Sequence, residues 1–528
     1  MKTMIFSLFT KKNGNWKDDT LSGLTVALAL VPEAIAFSFI AGVDPIVGLW
    51  SAVFLGFITS AFGGRPGMIS GATGAIAVVV AKAVEQGNAA GAEMGIDGLG
   101  FQYMVAALML AGLIQALVSV LKLARFIRLV PHPVMMGFVN GLAILILLSQ
   151  FESFRGADGN WLSQEQLIVM GALALLTMAI IQFFPKLTKA VPSILVAILV
   201  VGLISFFNLV DTKTVADVLL AGTGSAELSG SFPSLGWPGD IVWNNESILI
   251  IGGVAVTVAM VGLIESLMTL QLIDDMTETR GHGNRESMAQ GGANFLSGLF
   301  GGMGGCAMIG QSLINIKSGG RGRISGIVAA LALMMFILVG GPVIVQIPIA
   351  ALVGVMFMVV IGTFEWATFR TFGKVQASEI IVILAVTLIT VFMHNLALAV
   401  FTGVILSALV FAWNSAKHVR MNPHDLEDGT RIYNLQGVLY FGSVREFSER
   451  LSPSNDPDEV IIDFKDARVS DFSSLEMLSA ITERYRAAGK TLRLRHLSTE
   501  CQELITSAGS LVLVEVADDD PHYRIALI

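Results

Sequence analysis

Long apolar runs separated by short polar stretches fill the chain from about residue 21 to 414. A helix that crosses a bilayer needs about 20 mostly apolar residues. Runs near 21–41, 46–62, 68–84, 102–121, 132–150, 166–184, 192–209, 247–270, 287–302, 305–316, 323–345, 348–363, 378–393 and 396–414 predict fourteen membrane segments. Two of these, 68–84 and 305–316, are too short or too glycine-rich for ordinary spans. Beyond about Met421 charges become dense and the periodicity changes. Arg431–Tyr440, Glu459–Phe464 and Thr491–Arg495 read as strands, and Ser443–Leu451, Ser474–Ala488 and Thr499–Ala508 as helices. The alternation predicts a small α/β domain. The expected organisation is therefore an N-terminal segment 1–20, a polytopic helical membrane domain 21–414, a linker 415–430 and an α/β domain 431–528.

Composition agrees with this division. Of 528 residues, 54% are hydrophobic and 14% charged, against roughly 25% charged in soluble proteins. A mean hydropathy of +0.72 excludes a soluble multidomain enzyme. Disorder, a collagen-like repeat and a disulfide scaffold are excluded by the same numbers. A net charge of −8 gives no nucleic-acid footprint. Cys306 and Cys501, the two cysteines, fall in different domains, which excludes a disulfide framework and a cysteine-based metal cluster. Near the start, the apolar stretch Met4–Phe9 has six residues. A signal-peptide core needs about 7–15, so no cleavable signal is expected.

Charge also sets an orientation. Lys11, Lys12 and Lys17 precede the first segment. Basic residues then recur in alternate loops: Arg65; Lys122, Arg125 and Arg128; Lys186 and Lys189; Arg280 and Arg285; Lys317, Arg321 and Arg323; Arg370 and Lys374; Lys417 and Arg420. The intervening loops are neutral or acidic, with Glu85, Glu93 and Asp97 in one and Asp211, Asp217, Glu227 and Asp240 in another. The positive-inside rule then puts both termini in the cytoplasm, at the cell's inner (plasma) membrane. Losing or adding one span would break the alternation.

The segments repeat. Gly23-Leu-Thr-Val-Ala-Leu-Ala-Leu-Val-Pro-Glu33 parallels Ala255-Val-Thr-Val-Ala-Met-Val-Gly-Leu-Ile-Glu265. Phe62-Gly63-Gly64 parallels Phe300-Gly301-Gly302, and Ser70-Gly71-Ala72-Thr73-Gly74 parallels Gly304-Gly305-Cys306-Ala307-Met308. The copies span about 21–209 and 247–414. Seven segments per copy is odd, so the copies must have opposite orientation. This is the inverted-repeat plan of secondary transporters, whose site lies at the midplane between broken helices. Glycine-rich membrane segments also arise from close packing alone. A matched pair, each about 40 residues beyond a glutamate in an apolar run, favours broken helices.

A broken helix exposes backbone N–H groups at its N-terminus, and these favour an anion. The expected substrate-binding residues are Thr73, Gly74 and Ala75 at one tip and Met308, Ile309 and Gly310 at the other, with side-chain donors from Gln311 and Ser312 and with Glu33 beside them. Glu33 and Glu265 sit inside membrane segments, where an ionisable group points to function. Either can exchange a proton or help hold sodium, and so couple a cation gradient to anion uptake. A neutral glutamate bonded to a neighbouring helix is the plainer alternative. Thr269 shares the helix face of Glu265, four residues on; a hydroxyl bonded back to its own helix is an equal alternative. Gln115, Asn140 and Gln150 read as interhelical polar contacts, while His132 and His394 read as structural. No Walker lysine loop, catalytic triad or zinc spacing stands out, so neither an enzyme nor an ATP-driven pump is expected and no cofactor is implied. In the α/β domain, Asp471-Phe472-Ser473-Ser474 lies at a strand-to-helix turn. Asp471 or Ser473 is expected to cap the helix. Phosphorylation of Ser473 would set charge at its N-terminus.

These residues resemble the sulfate permease (SulP) family over nearly the whole chain. The resemblance lies in Gly23–Ala27 with Val31–Ala36, in Ala41–Leu49, in Pro131–Phe138 and in Asn315-Ile316-Lys317-Ser318-Gly319-Gly320-Arg321. The tail resembles a STAS domain, with Asp471–Ser474 at its signature loop. The resemblance implies two inverted seven-helix repeats arranged as core and gate domains, an elevator-like motion, a homodimer, and anion binding between the third and tenth segments. It implies a substrate among sulfate, bicarbonate, chloride and dicarboxylates. Gln311 departs from the arginine of many members, which favours cation coupling over simple exchange. Glu265 and Met308-Ile309 depart from the aspartate and Ala-Thr of the bicarbonate transporters, so their sodium site does not carry over. Three readings follow: a cation-coupled importer of a small oxyanion; an uncoupled anion exchanger or dicarboxylate transporter; and a membrane sensor whose STAS domain signals to a cytoplasmic protein. A nucleobase carrier of related fold is disfavoured by the STAS-like tail.

Overall fold

In the computed structural model of the protein, the structure describes residues 16–125, 130–155, 160–188, 192–207, 210, 212–223, 232–393, 396–416, 419–509 and 514–517. Residues 1–15, with Met4–Phe9, Lys11 and Lys12, lie outside these, as do Arg128, Lys189, Asp211, Glu227, His394 and Lys417. The chain forms two compact units, Met1–Val404 and Ile405–Ile528.

A helix stands at each of the fourteen predicted segments. The first half holds α1 (Trp16–Ala41), α2 (Pro45–Phe62), α3 (Gly74–Met94), α4 (Leu99–Val120), α5 (His132–Gln150), α6 (Gln164–Phe183), α7 (Ser193–Phe206) and a short α8 (Val215–Thr223). The second holds α9 (Asn245–Thr277), α10 (Gly283–Leu299), α11 (Ile309–Lys317), α12 (Arg323–Ile344), α13 (Ile349–Thr363), a short α14 (Ala367–Thr371), α15 (Ala377–Met393) and α16 (Leu396–Ala416). Local chemistry marks the ends. Pro45 opens α2, where a missing N–H is harmless. Capping boxes start α6 at Ser163/Gln166 and α9 at Asn244/Ser247. Left-handed Gly95, at φ 70°, closes α3.

Among the described residues, nine helices are long and apolar enough to cross a membrane, and Ser193–Phe206 and Ala377–Met393 are shorter apolar helices. Leu175, Leu249, Val339 and Phe392 are exposed on helix faces, as expected of surfaces meeting lipid rather than water. The helices pack in two groups, each drawn from both halves. In one, α12 lies on α1 and α2, α10 on α2 and α4, and α9 on α3 and α4. In the other, α15 lies on α5, and α13 on α5, α6 and α7. Small residues permit the close crossings. A Cβ on Gly291 of α10 would meet Gly112 O of α4 at 2.6 Å, and one on Gly112 would meet Gly291 O at 2.6 Å.

The second unit contains a five-stranded sheet, β3 (Arg420–Asp425), β4 (Arg431–Leu439), β5 (Glu459–Val469), β6 (Thr491–Arg495) and β7 (Glu515–Val516), in that spatial order. β3 and β4 are antiparallel and the other neighbours parallel. Leu435, Ile462, Phe464 and Leu494 form the core with Leu475, Leu478 and Tyr485 from α18 (Phe472–Ala487). Two shorter helices, α17 (Val444–Glu449) and α19 (Thr499–Ala508), complete the unit. β3 corrects the expected linker 415–430. It forms because left-handed Gly429, at φ 88°, turns the chain back onto β4. β5 runs five residues beyond the expected end at Phe464, to Val469.

Candidate functional site

Each interrupted segment is a two-residue strand followed by a helix. β1 (Ser70–Gly71) pairs antiparallel with β2 (Cys306–Ala307), in the register Ser70↔Ala307 and Gly71↔Cys306. Met308 N–H donates to Ile69 O at 2.9 Å and extends the pairing. Glycine is required beside it: a Cβ on Gly305 would fall 2.0 Å from Gly71 O. The pair draws the starts of α3 and α11 together. Their caps, Thr73 and Met308, are extended and offer no side-chain bond to the helix amides. The ladders begin with Ala77 N–H to Thr73 O and Ser312 N–H to Met308 O. The amides of Gly74, Ala75 and Ile76, and of Ile309, Gly310 and Gln311, are therefore without intrahelical partners. Two positive helix ends share one place in the fold.

The tips are not alike. Thr73, Gly74 and Ala75 are buried. A Cβ on Gly74 would meet Ile146 Cδ1 at 2.7 Å and Phe37 Cε1 at 2.9 Å. Ile309 and Gly310 are exposed, Met308 is half-buried, and a Cβ on Gly310 would meet nothing within 4 Å.

Two carboxyl groups flank the pair, Glu33 buried and Glu265 half-buried. Glu33, from α1, accepts a bond from Gln311 Nε2 at 2.7 Å. The Gln311 carbonyl oxygen is buried without a partner. Glu265, from α9, accepts the Cys306 thiol at 2.7 Å, and that sulfur lies 3.2 Å from Thr73 Oγ1. Thr269 takes the second of its two expected readings: its hydroxyl donates to Glu265 O of its own helix at 2.8 Å. Ser312 differs from expectation. Its oxygen accepts Ile69 N–H at 3.0 Å and its hydroxyl donates to Ile69 O at 3.3 Å, so it staples the strand pair.

A polar stripe on α10 went unread in the sequence. Glu286, Gln290 and Asn294 recur every four residues and are buried. Glu286 accepts Gly64 N–H at 2.7 Å, and Gln290 Nε2 donates to Ser70 Oγ at 2.8 Å. Asn294 exchanges bonds with Gly305, donating to its carbonyl at 3.0 Å and accepting its N–H at 2.9 Å. The stripe thus holds both strands, and its fourfold spacing within a glycine-rich run was the available signal. Gln115 and Asn140 do bridge elements: Gln115 accepts from Asn294 Nδ2 at 3.0 Å, and Asn140 Nδ2 donates to Thr368 at 2.8 Å. Gln150 instead bonds Ile146 O of its own helix at 3.2 Å. In the second unit Asp471 Oδ1 caps α18 at Ser474 N–H, 3.0 Å, leaving Ser473 exposed.

Comparison with known proteins agrees with this architecture. The profile of the sulfate permease family matches residues 16–387, and that of the STAS domain matches 425–519. The "Putative sulfate transporter YbaR" of Bacillus subtilis is 41% identical over 500 residues, covering 95% of this chain and 98% of that one. The solved transmembrane domain of a cyanobacterial bicarbonate transporter, BicA, is 29% identical, with a TM-score of 0.61 over 74% of this chain and 97% of that one. Murine Solute Carrier 26 family member A9, an anion transporter solved in the inward-facing state, shares the fold at 17% identity, with a TM-score of 0.77 over 96% of this chain and 91% of that one. The chain belongs to the sulfate permease family, with a multi-pass helical membrane fold and a C-terminal STAS domain.

Proposed function

We propose that the protein is a secondary active transporter of a small inorganic oxyanion, sulfate first and bicarbonate next, moving its substrate with protons by elevator-like alternating access. The observation that carries this reading is the joining of two uncapped helix N-termini through β1 and β2, with a carboxyl group on each side, Glu33 buried and Glu265 half-buried. The amides supply donors for an anion, and among the described residues no lysine or arginine stands at either tip. Protons are favoured over sodium because Glu265 faces a thiol, a poor ligand for a hard cation. The relatives named for sulfate and bicarbonate transport support the substrate class. Fourteen spans with cytoplasmic termini, a homodimer in the plasma membrane, and a transport domain ending near 414 belong to the same reading. Exposed Ser473, beside a cap already made by Asp471, is a site for regulatory phosphorylation.

Uptake of labelled sulfate into proteoliposomes tests the reading. An inward proton gradient is expected to accelerate uptake, and Glu265→Gln to abolish that acceleration. Indifference of the wild type to proton and sodium gradients would establish exchange instead.

A further inference from the structure

We propose that Cys306 is a positioning residue that carries the protonation state of Glu265 to the hydrogen-bond donor at the entrance of α3. The inference deepens the proposed function and rests on Glu265 taking up the coupling proton. The thiol is fully buried and touches two groups, Glu265 Oε2 at 2.7 Å and Thr73 Oγ1 at 3.2 Å. Thr73 occupies the cap position of α3 yet makes no bond to the helix amides. A threonine there ordinarily accepts an amide N–H. Its hydroxyl is turned to the sulfur instead.

A thiol has one hydrogen and an acceptor sulfur, so the chain Glu265–Cys306–Thr73 has two polarities. With Glu265 ionised, the thiol donates to the carboxylate and the Thr73 hydroxyl donates to the sulfur. The Thr73 hydrogen then points away from an anion at the α3 tip. With Glu265 protonated, its O–H donates to the sulfur and the thiol donates to Thr73 Oγ1. The Thr73 hydrogen is released to the anion. One proton arrives at Glu265 and the remaining hydrogens only reorient; no covalent bond other than that O–H is made. Proton binding thereby adds a donor to the anion site, which is positive coupling between the two.

Among the described residues, Cys306 is the titratable group in contact with Glu265. The elements packed on α9 also carry Lys82, Glu85 and Glu93 on α3, Tyr103 on α4, Arg285 and Glu286 on α10, and Lys317 on α11. None of these bonds Glu265. Glu286 is held by Gly64 and Gln290, and Glu33 by Gln311.

The test uses full-length protein in proteoliposomes, with sulfate counterflow and uptake measured between pH 5.5 and 8. Cys306→Ala is expected to retain counterflow but to lose the fall in KM toward low pH, roughly tenfold, the scale of one hydrogen bond to a charged group. Cys306→Ser, whose hydroxyl can also reverse, is expected to restore it. Three results would overturn the inference. One is Cys306→Ala keeping the wild-type pH profile while Glu265→Gln loses it, for then the carboxyl acts without the thiol. Another is Cys306→Ser losing the profile while still exchanging sulfate, for then reversal is not the device. A wild type indifferent to protons would remove the proposed function, and this inference with it.

Discussion

Asp456 in the second unit and Glu33 and Glu265 in the first are carboxyl groups set within the fold, the first two buried and Glu265 half-buried, yet their surroundings differ. Asp456 is saturated. Tyr433 donates to Oδ1 at 2.7 Å, Arg431 Nη1 to the same oxygen at 3.0 Å, and Tyr485 to Oδ2. Glu33 receives one amide and Glu265 one thiol. A fully satisfied buried network fixes structure. A carboxyl group with spare lone pairs in an apolar setting is held ready for another proton or ligand, and such groups mark function. The difference separates a domain that must keep its shape from a site that must change state.

The largest change in stability should come from the saturated group. Asp456→Ala removes the acceptor of two buried phenol hydroxyls, each worth about 1–3 kcal/mol when stranded. Hydrogen exchange in full-length protein should quicken across 431–495, while counterflow of sulfate persists. Unchanged exchange would mean that the network is not what holds the unit. The network also has a pH signature. Burial, and then the Asp456 carboxylate, push the Tyr433 phenol up to about 12, and Tyr485 is raised by the same causes. Folded protein therefore holds these protons more tightly than the unfolded chain. The stabilisation is complete below about pH 10, the ordinary tyrosine value, and is lost as pH rises from there through about 12. Removing Asp456 should flatten the thermal midpoint of the second unit over that window.

The next effect belongs to Glu33. Gln311→Leu strands its carboxyl group and should destabilise the first unit by about 1–3 kcal/mol, with loss of sulfate uptake. Glu33→Gln keeps an acceptor for Gln311 Nε2 and should leave thermal stability nearly unchanged, while altering the pH dependence of uptake. Equal destabilisation by the two substitutions would show that Glu33 is as structural as Asp456.

Length and hydropathy made the membrane helices legible, because a span announces itself over some 20 residues. The strand pair was legible only as two glycine-rich breaks: two residues carry no periodicity, and the register Gly71↔Cys306 joins opposite halves of the chain. Glu33 and Glu265 were visible as charges in apolar runs. Gln311 was visible as a donor, but its pairing with Glu33 across 278 residues was not, and Cys306, the partner of Glu265, read as one more small residue. Ser312 looked like a free donor because a sequence does not say that a hydroxyl is taken by backbone. β3 was missed for a local reason. Arg-Met-Asn-Pro-His-Asp lacks alternation and holds Pro423, tolerable only because β3 is an edge strand.

The smallest expected change in stability separates the two helix tips. Gly310 lies in the first turn of α11, with open space where a Cβ would be. Gly310→Ala should therefore leave the fold intact and, through lower chain entropy in the unfolded state, raise stability by about 1 kcal/mol or less. The added methyl would stand beside the free amides of Ile309, Gly310 and Gln311, where the anion is proposed to sit. One misplaced methyl in a fitted site changes affinity by about tenfold, so KM for sulfate should rise on that scale while the thermal midpoint holds or increases. Gly74→Ala meets Ile146 and Phe37 instead, and its loss of uptake should come with a lowered midpoint. If Gly310→Ala left KM unchanged, the open tip of α11 would not be where the substrate is received, and the unpartnered amides there would need another occupant.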